Sequence, residues 1–167
     1  GQNGRKIFTT RLGLATSAIS YQPSESTSMA TSGPQHLQLW RLSNHQLKPQ
    51  SPIKYLTLDE GTCYTAHAWT DDMRLVATTS SGHVVVVDDN EQVQLIRDAH
   101  DPLSAGDEKG TGKGPAINSV AAFGSGFVTA GAGGSVCIFD LPPSGDKTAL
   151  VAKPAFVRLR CVRCGAA

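Results

Sequence analysis

The sequence predicts an all-β protein assembled from three similar units of four short antiparallel strands. β-branched and aromatic residues gather in short runs that end at Gly, Pro, Asp or Asn, which is typical of strands and the turns between them. One pattern of such runs then recurs along the chain, over residues 17–42, 65–89 and 118–141. The repeat indicates that the chain is built from one structural unit used three times.

Each unit is predicted to hold three strands joined by tight turns, followed by a fourth strand. The shared positions are an aromatic residue that closes the first strand, an apolar residue in the second and a large apolar anchor in the third: Tyr21, Met29 and Trp40; Trp69, Val76 and Val87; Phe123, Val128 and Phe139. The fourth strands are predicted over 53–58, 92–97 and 155–160. We expect Trp69 and Val87 to be buried between adjacent sheets.

The spacing of the units favours a partial β-propeller. The third-strand anchors Trp40, Val87 and Phe139 lie 47 and 52 residues apart, which matches propeller blades with slightly lengthened loops. A blade needs neighbours on both faces, and three blades do not close a ring of the usual kind, so we expect a fragment of a larger propeller. A β-sandwich is the alternative, and the threefold repeat favours the propeller over it.

The predicted organisation is a single segment without separate domains. It comprises the last strand of a preceding blade over 1–14, blades over 15–60, 61–100 and 116–160, a flexible loop over 101–115 and a tail over 161–167.

The third strands of the units resemble, in degenerate form, the Trp-Asp ending of WD-repeat proteins. They end in "LWRL", "VVDD" and "IFDL". Proteins of that family also carry a Gly-His between blades. Here Gly82-His83 lies instead at the start of a third strand, and His100 stands where that histidine is expected.

The order of the three units is similar to that of the cilia- and flagella-associated WD-repeat proteins of the axoneme. The stretches "ISYQP", "MATSGPQHLQLWRL", "CYTAHAWTDDMRLVATTSSGHVVVVDD" and "INSVAAFGSGFVTAGAGGSVCIFD" carry the similarity over roughly residues 15–141. The resemblance implies a non-catalytic scaffold of the axonemal cytoskeleton. Its implied partners are other axonemal proteins, such as dynein-associated complexes or tubulin.

Charge and composition exclude several other classes of function. The chain has 15 Lys and Arg against 14 Asp and Glu, so no excess charge attracts nucleic acid or an acidic membrane. The longest apolar run surrounds "VVVV" at 84–87, far below the roughly 20 residues that span a bilayer. No signal-peptide pattern or Asn-x-Ser/Thr site is present, so we expect a soluble, cytoplasmic protein with reduced cysteines.

The stretch "DEKGTGKGPAIN" at 107–118 superficially resembles a phosphate-binding loop. Such a loop needs glycine at position 107 and a hydroxyl residue at 114, where this chain has Asp107 and Gly114. The residues that follow are strand-like, so a helix N-terminus that would bind phosphate is also missing. We therefore interpret the stretch as part of a loop between blades.

The remaining chemically reactive residues form no recognised catalytic or metal-binding pattern. Cys161 and Cys164 make half of a zinc site whose other half would have to lie beyond residue 167, and Cys63 and Cys137 stand singly. The carboxylate groups at 71–72 and 88–91 fall in predicted turns, and the five histidines are dispersed. We predict no catalytic, cofactor or metal site and no small-molecule substrate. A ligand-binding or enzymatic propeller with its site at the central channel remains the alternative.

A candidate partner surface lies on the last predicted strand, "AFVRLRCVR". Strict alternation would place Phe156, Arg158 and Arg160 on one face and Val157, Leu159 and Cys161 on the other. The strand is the outermost of its blade, so Arg158, Arg160 and Arg163 should lie at the propeller rim. There they either form a solvated face that discourages edge-to-edge aggregation or bind an acidic protein surface.

Overall fold

The computed structural model of the chain describes Thr9 and residues 11–58, 61–100, 114–142 and 154–164. Within these ranges the regular elements are strands, which confirms the all-β prediction, and no helix is long and apolar enough to cross a membrane. The first sheet consists of β1 (Ala18–Gln22), β2 (Glu25–Gly33), β3 (His36–Ser43) and β4 (Gln46–Pro49). The second consists of β5 (Tyr64–Trp69), β6 (Leu75–Thr79), β7 (Val84–Asp88) and β8 (Glu91–Ile96). The third consists of β9 (Ile117–Phe123), β10 (Gly126–Gly131), β11 (Ser135–Asp140) and β12 (Val157–Arg163).

Each sheet is an antiparallel meander in which strands follow one another in chain order. The first strands of the sheets lie beside one another, because β1 and β2 contact β5, and β5 and β6 contact β9. This arrangement confirms the prediction of three four-stranded blades of a partial propeller. We call the three sheets the first, second and third blades.

The fourth strand of the first blade is not where the sequence analysis placed it. Residues 53–58 form no strand beyond an isolated bridge from Lys54 to Glu91, and β4 occupies Gln46–Pro49 instead. The reason lies in Asn44 and His45, whose φ angles of 49° and 60° make a two-residue hairpin turn directly after β3. Apolar residues of 53–58 pack against the core between the first two blades: Ile53, Leu56 and Leu58.

The ends of the chain differ in part from the prediction. The fourth strand predicted over 92–97 is confirmed as β8, whereas β12 continues to Arg163 and so takes in the first residues of the predicted tail. The last strand of a preceding blade, predicted over 1–14, and the loop predicted over 101–115 fall largely outside the described residues. The described parts, Thr9, residues 11–14, Gly114 and Pro115, belong to no strand.

The second blade is covered on both faces. Along β7, Val84 and Val86 pack toward the third blade, whereas Val85 and Val87 pack toward the first. Alternating side chains of a strand point to opposite faces, so four consecutive valines can fill two cores at once. The side chains of all four are at most 2% exposed. The uninterrupted apolar run in the sequence therefore reflects a central blade with neighbours on both sides.

The predicted anchors lie in these cores to different degrees. Val87 and Phe139 are buried, each on the face of its blade that meets the preceding blade, as expected. Trp69 packs against the core between the first two blades but keeps part of its surface exposed. Phe139 stacks on Phe127 at a ring-centroid distance of 4.8 Å, and Phe156 meets Phe127 edge-on at 5.0 Å.

Candidate functional site

The three arginines of the predicted partner surface lie on β12, but they do not share one face. A bulge opposite Ile138 and Phe139 leaves Leu159 as an extra residue, so Arg158 pairs with Phe139 and Arg160 pairs with Ile138. Directly opposed residues share a face, which puts Arg158 and Arg160 on opposite faces of the blade. The strict alternation assumed from the sequence is therefore wrong.

The three side chains also differ in their surroundings. The guanidinium Nη1 of Arg158 donates a hydrogen bond to the carbonyl oxygen of Ala99 at 3.2 Å, which attaches the strand to the second blade. Arg160 and Arg163 are exposed and make no ion pair within the described part of the chain. These two arginines, together with the outer edge of β12, form what we call the β12 rim.

His100 occupies the position between blades that the sequence analysis assigned to it. It is fully buried, and its Nδ1 and Nε2 lie 2.6 Å from Ser135 Oγ and 2.7 Å from Thr129 Oγ1. Both contacts reach into the third blade from the chain that follows the second. His100 thus joins two blades through a fully hydrogen-bonded imidazole.

A second histidine joins the first two blades, and the sequence analysis did not identify it. His67 on β5 has Nδ1 2.7 Å from Ser32 Oγ and Nε2 2.7 Å from Ser20 Oγ, both on the first blade. Burial lowers the pKa of His67 to about 4, so the ring is neutral near pH 7. No local motif marks this residue, because its partners lie 35 and 47 positions away.

The second and third blades are also joined by a buried arginine. Arg74, 1% exposed, lies in the turn before β6 and pairs through Nη2 with Asp72 Oδ2 at 2.7 Å. Its Nη1 donates to the carbonyl oxygen of Pro154 at 2.7 Å, and its guanidinium carbon lies 3.9 Å from the Phe156 ring centroid. The pairing gives Asp72 a structural role.

Gln94 attaches the same segment from β8. Its Nε2 donates to the carbonyl oxygen of Phe156 at 2.8 Å, and its Oε1 accepts from the Phe156 N–H at 2.9 Å. The side-chain amide of Gln94 therefore satisfies both backbone hydrogen-bonding groups of Phe156, in the segment that leads into β12.

The cysteines pair differently from the sequence prediction. Cys137 is buried as expected, but it forms a disulfide with Cys161, the residue directly opposite on β12, so it is not a free thiol. Cys161 is thereby not matched with Cys164, which is exposed, and Cys63 is also free. The cross-strand register of Cys137 and Cys161 decides this pairing, whereas Cys164 follows three positions after Cys161, beyond the end of β12.

The cluster of Cys137, Cys161 and His100 has the composition of a metal site, with ligand atoms within 4.8 Å of one another. The sulfurs are joined to each other, and both ring nitrogens of His100 are hydrogen-bonded. The atoms that would bind a metal are therefore already engaged.

A cavity of about 180 Å³, which we call the inter-blade cavity, lies between the first two blades. It is found where the chain turns from β1 to β2, from β5 to β6 and from β7 to β8. Its walls combine apolar, neutral polar and charged side chains: Gln22, Glu25, Ser28, Met29, Leu39, Arg41, Gln50, Trp69, Met73, Leu75, Val87, Asp89 and Asn90. Glu25 and Arg41 form an ion pair of 2.7 Å there.

Charge in the cavity wall is largely compensated. Hydrogen bonds from Ser28 and Thr27, together with Arg41, hold the pKa of Glu25 below its usual value, so the carboxylate is ionised. Its negative charge faces the Arg41 guanidinium, and the remaining charged side chain of the wall, Asp89, is exposed to solvent. The cavity is therefore suited to a neutral polar group.

Comparison with known proteins supports the fold. No protein-family model and no curated protein matches the chain. Among solved structures, the β-propeller domain of Cps50 (Swd1) from Myceliophteria thermophila is similar with a TM-score of 0.65 and 14% identity, over 91% of this chain and 46% of that one. A protein from Lactobacillus plantarum has a TM-score of 0.60 at 13% identity, over 89% and 42%.

Sqt1 from Chaetomium thermophilum is also similar, with a TM-score of 0.56 and 18% identity over 89% of this chain and 36% of that protein. The chain thus spans less than half of the length of each of these structures. At such low identity the likeness concerns the fold alone. The described residues therefore have the fold of three consecutive blades of a β-propeller.

Proposed function

We propose that the chain is part of a non-catalytic WD-repeat scaffold that binds other proteins through the β12 rim. The observation that carries the proposal is the exposure of Arg160 and Arg163 on an outermost strand whose outer edge pairs with no described strand. Such an edge offers both backbone hydrogen-bonding groups and guanidinium groups to a partner. Arginine binds carboxylates through paired hydrogen bonds, so an acidic protein surface is the matching partner.

One contact between blades and one contact within a blade support the WD-repeat assignment. His100 reaches Thr129 from between two blades, and the indole Nε1 of Trp40 donates to Thr31 Oγ1 at 2.8 Å within the first blade. Both use residues that the family resemblance singled out, namely the inter-blade histidine and the third-strand tryptophan. We further propose, from the resemblance, a cytoplasmic component of the ciliary or flagellar axoneme near dynein-associated complexes or tubulin.

The innermost strands favour a scaffold over an enzyme with a site at the central channel. Across β1, β5 and β9, His67 is the one side chain whose ordinary pKa lies near neutrality. Its pKa of about 4 and its two hydrogen bonds to serines suit a structural contact. Acid–base catalysis near pH 7 would require a group with a pKa close to that value.

Charge reversal on the β12 rim tests the proposal. The double variant Arg160→Glu and Arg163→Glu should lose most of its co-sedimentation with salt-stripped axonemes while melting within a few degrees of the wild type. A matched double variant at exposed positions elsewhere, Arg11→Glu and Lys48→Glu, should bind as the wild type does. Unchanged binding by the folded rim variant would exclude the β12 rim, whereas equal loss in both variants would indicate non-specific charge attraction.

A further inference from the structure

Two side chains that line the inter-blade cavity each have one buried polar atom without a hydrogen-bond partner. These atoms are the indole Nε1 of Trp69, a donor, and the side-chain Oδ1 of Asn90, an acceptor. Both atoms are buried, and no described residue pairs with either. Native proteins satisfy nearly all such groups, so an unpaired donor and an unpaired acceptor beside one cavity indicate a binding partner.

The rest of each side chain is held in place. The Asn90 Nδ2 donates to the carbonyl oxygens of Ser51 and Pro52 at 3.0 and 3.3 Å, which fixes the amide and leaves Oδ1 to accept. The Trp69 ring packs against the core between the first two blades. The donor and the acceptor are therefore preorganised, and binding would cost little ordering of these two side chains.

The geometry points to a carboxamide as the ligand. We propose that the inter-blade cavity binds the side chain of a glutamine or asparagine from a partner polypeptide. Its carbonyl oxygen accepts from the Trp69 indole N–H, and its NH₂ group donates to Asn90 Oδ1. A carboxamide is the side-chain group that carries a strong acceptor and a donor on one carbon atom without charge.

Size, polarity and charge fit this ligand. A volume of about 180 Å³ corresponds to about six waters at roughly 30 Å³ each, which is room for one side chain. The apolar wall formed by Leu39, Leu75 and Val87 suits the methylene groups that precede the amide. The Glu25–Arg41 ion pair leaves neither of these charges free to favour an ionic ligand, and the one further charged side chain of the wall, Asp89, is exposed and disfavours an anionic ligand.

The cavity also reaches the protein surface, because Met73 in its wall is 44% exposed. The backbone of a partner can thus stay outside while one side chain enters. This site is separate from the β12 rim, so each proposal can fail without the other.

Indole NMR of the chain tests the inference. The chain has two tryptophans, and the Trp40 indole already donates to Thr31, so its signal serves as an internal reference. Titration with N-acetylglutamine N-methylamide should shift the Trp69 indole N–H signal downfield to saturation. N-acetylmethionine N-methylamide, which has a side chain of similar length without the amide, should not. Equal shifts with both probes would overturn the proposal.

Two variants provide independent checks through the methyl signals of Leu39 and Val87. Trp69→Phe keeps an aromatic ring and removes the donor, and Asn90→Gly removes the acceptor at a residue whose φ of 65° suits glycine. Each should weaken binding of the glutamine probe at least about tenfold, as expected for the loss of one buried hydrogen bond. Binding by a folded Asn90→Gly variant with wild-type affinity would overturn the proposal. The rim variant Arg160→Glu and Arg163→Glu should bind the probe normally.

Discussion

His67 illustrates at the residue scale how two blades are joined by a neutral imidazole. The ring lies between two serine hydroxyls of the neighbouring blade, and burial lowers its pKa from 6.5 to about 4. The unfolded chain therefore binds a proton at this residue at a higher pH than the folded chain does. Folding stability must then rise with pH between these two pKa values.

We expect acidification from pH 6.5 to pH 4 to remove about 3 kcal/mol of stability through His67, at about 1.4 kcal/mol per pKa unit. His83, whose pKa is also lowered by burial, adds a change of the same sign. Urea unfolding at several pH values should show a shallower pH dependence for His67→Gln than for the wild type. Parallel pH profiles for the two proteins would contradict the assigned pKa.

Arg74 is a second residue on which the blade interface depends. Its guanidinium is almost fully buried, and Asp72 is the carboxylate that compensates its charge. Asp72→Asn should cost about 1–3 kcal/mol, because a buried charge loses its partner while the carboxylate itself is only partly buried. Asp71→Asn, one position away and without an ion pair to a described residue, is the matched control and should be nearly neutral. Equal effects in chemical unfolding would show that the ion pair is unimportant.

At the scale of single elements, the hairpin between β3 and β4 shows how the residues of a turn determine where the next strand forms. The segment 53–58 has the better apolar pattern, yet β4 forms at Gln46–Pro49 because Asn44 and His45 adopt the left-handed conformation. Asparagine and histidine are among the residues that tolerate it best. A tight turn thus pairs the nearest available residues before a more distant apolar run can compete.

Glycine at this turn should therefore stabilise the first blade. We expect His45→Gly to raise stability by about 0.5–1 kcal/mol, since glycine adopts a positive φ without strain. His45→Val should lower it, because a β-branched residue is strained there. Thermal melting of the two variants distinguishes them. Identical melting temperatures would be evidence against a hairpin at this site.

In strand β12, the pairing with β11 overrides the alternation of side chains that the sequence predicts. Residues 157–161 alternate strictly in polarity, but the bulge at Leu159 brings Phe156 and Cys161 to the same face of the blade, which packs against the core. Phe156 packs against Phe127 and under the guanidinium of Arg74, and Cys161 is bonded to Cys137. One extra residue between them lets both contacts form.

At the scale of the whole molecule, the three blades are protected unequally. The second blade has a neighbour on each side, whereas residues of the first and third blades remain exposed, such as Ile19 at 61% and Leu159 at 59%. The described residues thus form an arc of sheets with a buried centre. Its outer faces are less well covered.

Hydrogen exchange should show the difference in protection between the second blade and the edge strands of the other two. The amide protons of β7 should exchange slowest, because the strand is paired on both edges and its side chains are buried on both faces. Those of β1 and β12, each of which lies at an edge of its sheet and pairs with one strand only among those described, should exchange faster. Exchange-detected NMR or mass spectrometry gives the order directly, and faster exchange in β7 than in β1 would contradict the arrangement.

The sequence by itself determined the strand content, the threefold repeat and the inter-blade position of His100. These features depend on local strand propensity and on the periodicity of the repeat, and both can be read from residues close together in the sequence. The tertiary structure alone decided the faces of Arg158 and Arg160, the partner of Cys161 and the role of His67. It also brought Trp69 and Asn90 to one cavity. Each of these depends on strand register or on contacts between blades, which set residues 19 or more positions apart against each other and leave no local pattern.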